Sequence, residues 1–266
     1  MSGAALDITN LSVAIRRGPT LLHGVSLHVA PGEVHGLVGM SGAGKSMVGR
    51  CLLGILPARV GITGGSIRFA GQELVGLNER DRRRAGAQLA LIPQDPLSAL
   101  NPSRRIVSQM TDVMRLRLGL TQSEATARAL AMLHEVHIRD PEGVLHRYPH
   151  ELSGGMRQRV LIATAFACEP KLIVADEPTT ALDVTVQKQI LRLIRDLQRS
   201  HQTSLLFVTH DLGVVAKICN SVTVLNAGRV VEQAPVAEMF AAPKDPYTQA
   251  LFAATPRYDQ PGGVVA

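Results

Sequence analysis

The chain has 266 residues and a mass of 28.5 kDa, room for one large domain or a core with a smaller insert. Lys and Arg number 28 against 22 Asp and Glu, a net charge of +6, while 45% of the residues are hydrophobic and only 3% aromatic. The apolar content excludes a disordered chain, and the shortage of aromatics argues against a single-strand nucleic-acid binder that works by base stacking.

In chain order, segments 5–15 and 25–29 alternate apolar and polar residues and predict strands. Segment 33–39 is a short, mostly apolar run ending in glycine and predicts a buried strand, followed by a helix over 45–56. Segments 66–69 and 87–92 predict further strands, and the basic run Arg80-Asp81-Arg82-Arg83-Arg84 between them reads as a solvated helix face. From Pro93 to Glu151 apolar residues recur at three- and four-residue intervals, over 106–118 and 123–137, with turn signals at Asn101-Pro102 and Asp140-Pro141; this predicts a helical insert. Beyond it, helices over 155–168, 184–198 and 214–218 alternate with strands over 172–175 and 204–208, and 222–225 pairs with 228–231 across Asn226-Ala227. Such alternation implies a parallel sheet covered by helices. The proline-rich tail beyond Ala241 is expected on the surface. The longest nearly apolar run, 160–168, falls far short of the ~20 residues of a membrane span, and no secretory signal is evident. Cys51, Cys168 and Cys219 are widely separated, which excludes a disulfide framework and points to reduced, buried thiols.

Gly39-Met40-Ser41-Gly42-Ala43-Gly44-Lys45-Ser46 fits the pattern Gly, four residues, Gly-Lys-Ser, after a predicted strand and opening a predicted helix. Gly42 and Gly44 let the backbone curl so that successive N–H groups face one anion, and the helix start adds the positive end of its dipole. Lys45 brings a full charge to β- and γ-phosphates, and the Ser46 hydroxyl suits Mg²⁺. Downstream, an apolar strand ends in Asp176-Glu177. Two acids at a buried strand end need compensation, which a metal ion and an attacking water supply: Asp176 for Mg²⁺, Glu177 as general base. Gln94 follows the strand at 87–92; its neutral amide can ligate Mg²⁺ and touch the water. His210 follows the strand at 204–208, where it can reach a γ-phosphate.

Together these pieces resemble the nucleotide-binding subunits of ABC transporters. The likeness adds a glutamine loop at Gln94, a signature sequence at Leu152-Ser153-Gly154-Gly155-Met156, a D-loop at Ala181-Leu182-Asp183 and a switch histidine at His210, and covers nearly the whole chain. It implies an α/β P-loop NTPase (RecA-like) core with a parallel sheet, an N-terminal antiparallel β subdomain and an inserted helical subdomain. The core would span about 1–95 and 155–240, the insert about 96–154 and the tail 241–266. It also implies ATP with Mg²⁺ as ligands, and a head-to-tail dimer in which Ser153, Gly154 and Gly155 of one subunit meet the nucleotide on the other's P-loop, with Asp183 at the interface.

Gly154-Gly155-Met156-Arg157-Gln158-Arg159, Gln94-Asp95-Pro96 with Asn101-Pro102, and the tail Pro243-Lys244-Asp245-Pro246-Tyr247-Thr248 look like the peptide and nickel importers. The implied partners are a second, non-identical ATPase subunit, two transmembrane permease subunits and, indirectly, an extracytoplasmic solute-binding protein, with no nucleic acid. The implied location is peripheral, on the cytoplasmic face of the inner membrane. Asp245 stands where the subgroup has His, and with no aromatic before Phe69, Ile15, Arg16 or Arg17 would cover adenine. No cysteine-bearing extension follows the tail motif, so no cluster is expected. Alternative readings are a soluble ABC ATPase of DNA repair or translation, an exporter subunit, and a degenerate scaffold that binds ATP without cleaving it.

Overall fold

In a computed structural model the structure describes residues 5–180 and 182–254. They divide into two compact units, the first within 5–85 and 204–254 and the second within 86–203.

The first unit begins with β1 (Leu6–Ile15) and β2 (Thr20–Val29), then β3 (Val34–Val38), α1 (Lys45–Leu53), β4 (Val60–Phe69), β5 (Gln72–Glu73) and α2 (Glu79–Gly86), which runs to the unit boundary. An antiparallel sheet forms in the order β2-β1-β4-β5. Leu6 and Ile8 point into its core, and so do Leu11 and Val13, although the spacing slips by one residue between the pairs. A bulge absorbs the slip: Asn10 takes φ +50, opposite Gly65, whose Cβ would stand 2.4 Å from the Asn10 carbonyl oxygen. α1 stops earlier than its apolar pattern predicts because Gly54 takes the left-handed conformation and caps it.

The second unit runs β6 (Leu89–Ile92), α3 (Pro96–Ala99), α4 (Ile106–Leu118), α5 (Gln122–Glu135), α6 (Pro141–His146), α7 (Gly154–Ala167), β7 (Leu172–Asp176) and α8 (Val184–His201). β6 and β7 are parallel. Thr121 opens α5 with a reciprocal capping box to Glu124. α7 buries residues on almost every side, from Val160 to Ala167, because α3, α4, α5, α8 and β6 all contact it.

The chain then returns to the first unit as β8 (Ser204–Thr209), α9 (Leu212–Ile218), β9 (Ser221–Asn226), β10 (Arg229–Pro235), α10 (Val236–Ala241) and α11 (Pro246–Ala254). β3, buried along its length, pairs in parallel with β8 on one side and β9 on the other. β9 and β10 form a hairpin with Ala227 and Gly228 both at positive φ, the geometry of a two-residue turn that suits the twist of the strands.

His35 sits fully buried in β3, between the hydroxyls of Ser221 and Thr223 at 2.6 and 2.8 Å. Burial alone would raise the Glu33 carboxyl, but hydrogen bonds with His35, Ser221 and the Ala30 N–H outweigh it and hold it at about 2. All three cysteines are free; burial pushes the Cys51 thiol up to about 12 and raises Cys168 and Cys219 as well. The α/β class, with parallel strands, an antiparallel N-terminal sheet and a helical stretch between β6 and β7, is the one the sequence implied. The tail lies at the surface as expected, with Thr248 the one buried residue of α11, but one face of that helix is packed. Tyr247, Leu251 and Phe252 pack against a core cluster that includes Val38 and Met239, and Phe240 meets Phe252 edge-on at 4.7 Å.

A candidate nucleotide-phosphate site

The loop between β3 and α1 is a turn that only glycine can make at its critical positions. Gly39, Gly42 and Gly44 take φ +153, +80 and +102. A Cβ on Gly39 would lie 2.1 Å from the Leu225 carbonyl oxygen of β9, so the first glycine is demanded by the neighbouring strand as well as by the loop. Gly42 faces open space. Gly44 is the N-cap of α1 and offers no side-chain cap, which leaves the helix start suited to an anion. Lys45 is 5% exposed and its ammonium donates to the carbonyls of Gly39 at 2.9 Å and Met40 at 3.0 Å, so its charge is held across the mouth of the loop. Ser41 is exposed, Ala43 buried, and Ser46 follows Lys45 in the first turn of α1.

His210 follows β8 directly and is exposed. Val38 pairs with Thr209 in the parallel register, so Gly39 and His210 leave the sheet at the same end of neighbouring strands. Asp211, which follows, serves as the N-cap of α9, accepting from the Val214 N–H at 3.2 Å. Ile15 closes β1, and Arg16 and Arg17 are exposed in the turn to β2.

In the second unit the structure brings Gln94 and Glu177 together. The Gln94 amide donates to Glu177 Oε2 at 3.2 Å, and the Thr180 hydroxyl donates to the same oxygen at 3.0 Å. Glu177 itself takes φ +46, rare for a residue with a Cβ, immediately after Asp176 ends β7. A carboxylate fixed by two donors and by an unusual backbone is one whose direction is set in advance. Asp176 and the Gln94 amide offer the oxygen donors that Mg²⁺ takes, and in the first unit the Ser46 hydroxyl offers the same. Thr180 is the contact that sequence reasoning missed; its three-residue spacing from Glu177 was the available signal.

The signature residues open α7. Ser153 is its N-cap, accepting from the Met156 N–H at 3.3 Å, with Gly154 and Gly155 as the first helical residues. A Cβ on Gly154 would meet nothing within 4 Å, whereas one on Gly155 would stand 3.2 Å from Val186 of α8. Asp183 caps α8, accepting from the N–H groups of Thr185 and Val186 at 3.1 and 3.0 Å. Ala181 of the expected D-loop lies outside the described residues, as do 255–266 of the tail.

Comparison with known proteins adds to this geometry. The profile of the family described as ABC transporter matches residues 22–180. A probable peptide ABC transporter ATP-binding protein of Sinorhizobium fredii is 49% identical over 237 residues, 88% of this chain and 71% of that protein. A probable D,D-dipeptide transport ATP-binding protein of Escherichia coli is 46% identical over 242 residues, 90% of this chain and 74% of that one. Among solved structures, cbiO1 from Clostridium perfringens, part of the ABC transporter complex cbiONQ, superposes with a TM-score of 0.79 at 26% identity, covering 90% of this chain and 91% of its own.

Proposed function

The chain belongs to the ABC transporter family, and from that footing we propose that it is the ATP-binding and ATP-hydrolysing subunit of an importer that takes up peptides. The observation that carries the proposal is the loop 39–46: glycines at positive φ, a lysine clasped across its mouth and a helix start with no side-chain cap, in a chain close to peptide-transport ATP-binding proteins. Both relatives are named for peptides, which favours that cargo over nickel.

The reaction is ATP plus water to ADP and phosphate, and it needs positioning and charge stabilisation more than covalent chemistry. The backbone of 39–46 and Lys45 hold the phosphates. Ser46, Asp176 and Gln94 would hold Mg²⁺, which would supply charge neutralisation for the phosphate oxygens. Glu177, with its second oxygen held by Gln94 and Thr180, polarises the attacking water. His210 steadies the γ-phosphate. Ser153, Gly154, Gly155 and Asp183 serve a nucleotide held by a second ATPase subunit, a non-identical relative of this chain. Two permease subunits complete the transporter, fed by an extracytoplasmic solute-binding protein. No helix among the described residues is long and apolar enough to cross a membrane, and peripheral attachment at the cytoplasmic face of the inner membrane agrees with that.

The test is uptake in cells lacking this chain, with labelled dipeptides, labelled oligopeptides and nickel supplied separately. Loss of peptide uptake, restored by the unaltered chain and not by Lys45→Ala, is the expected result. Loss of nickel uptake alone would overturn the cargo, and unchanged uptake of all three would overturn the importer.

A further inference from the structure

Met40 is held by both sides of its backbone. Its carbonyl accepts from Lys45, and its N–H donates to the hydroxyl oxygen of Tyr247 at 3.2 Å, although the two residues stand 207 positions apart. The Met40 side chain is 62% exposed, so its own packing does little to fix it. Tyr247 is fixed far better. The Glu232 carboxylate of β10 accepts from the N–H groups of Lys244 and Asp245 at 2.8 and 3.0 Å, pinning the segment before α11. Asp245 then accepts from the Tyr247 N–H at 2.8 Å and sets the first turn of that helix. Here the aspartate does local work that a histidine's ring would do differently, which gives the departure at position 245 a structural meaning. The Tyr247 ring packs, with Leu251 and Phe252, on the cluster that contains Val38, the residue immediately before Gly39.

We propose that Tyr247 is a positioning residue for the phosphate loop: its hydroxyl, delivered by the tail helix, holds residue 40 so that the loop keeps the curl in which Lys45 spans its mouth. The chain of contacts is short and lies wholly within the first unit, from Glu232 through 244–247 to Met40 and Lys45. A preset loop need not be ordered when the phosphates arrive, so the ordering cost is removed from binding. The tail segment therefore sets nucleotide affinity without touching nucleotide. The proposal rests on the nucleotide reading above and deepens it.

The discriminating variant is Tyr247→Phe, which keeps the ring and its packing and deletes only the hydroxyl. In the full chain, MgATP and MgADP binding by calorimetry should weaken about three- to tenfold, the size of one neutral hydrogen bond. In the assembled transporter KM for ATP should rise by a similar factor while kcat at saturating ATP stays unchanged. Hydrogen exchange at the Met40 amide should accelerate, with the melting temperature unmoved. Unchanged affinity and unchanged Met40 exchange overturn the proposal. So does a general fall in melting temperature in which all loop and tail amides speed up together, since that describes packing alone. Should the variant fail to fold, the unaltered chain still decides: a Met40 amide that exchanges as fast as an open loop residue is fatal to the proposal. If the unaltered chain binds no MgATP, the nucleotide reading itself fails; if it binds and Tyr247→Phe binds equally well, only the positioning role does.

Discussion

Glu177 and Glu33 show how differently one residue type is used. Glu177 stands at a strand end with φ +46 and shares one oxygen between Gln94 and Thr180, an arrangement that fixes direction at the expense of backbone comfort. Glu33 stands just before β3 and closes a network with Ser221, His35 and the Ala30 N–H. Its carboxyl is held at about 2 against an ordinary 4.5. A depressed folded-state value contributes stability that is complete above the unfolded value and is lost as pH falls through the folded one. The window is therefore between about 4.5 and 2. Glu33→Gln should lower the melting temperature at neutral pH and flatten its fall across that acid window, as read by thermal melts at a series of pH values. Parallel acid limbs in the two proteins would remove Glu33 from the account of stability.

At the scale of elements, the phosphate loop depends on β9 as much as on its own sequence. Gly39→Ala would drive a methyl group to 2.1 Å from the Leu225 carbonyl oxygen, a backbone atom fixed in the sheet. The expected cost is about 2 kcal/mol or more, roughly 4–8 °C in melting temperature for a chain of this size, together with loss of MgATP binding. A variant that melts and binds normally would mean the β9 contact is soft. The motif made residues 39–46 legible, since the spacing of glycines, lysine and serine is itself the chemistry. The demand that Leu225 places on Gly39 was not legible, because it arises from a strand 186 positions away that pairs with β3 only in the fold. The same holds for the Gln94–Glu177–Thr180 contact: Gln94 and Glu177 stood out along the chain and Thr180 did not, and the shared oxygen needs β6 and β7 side by side. The tail was legible as surface, but its packed inner face was not. Pro243 and Pro246 read as surface punctuation, yet a proline at the first position of a helix is favourable, and α11 starts there with Tyr247, Leu251 and Phe252 on its inner face.

For the molecule as a whole, the residues proposed to act on nucleotide lie at strand ends, at helix starts or in the loops between them, while the strands β3, β6, β7 and β8 behind them are largely buried. Loop 39–46 and His210 belong to one unit; Gln94, Asp176, Glu177 and the signature belong to the other. On the proposed function, Glu177 is where binding and cleavage part. The most direct measurement is ATP turnover by the assembled transporter carrying Glu177→Gln, beside MgATP binding by the same preparation. The account predicts that turnover falls ~100-fold or more, the scale of a lost general base, while ATP stays bound and holds the two ATPase subunits together. Turnover within a few-fold of the unaltered transporter would contradict it.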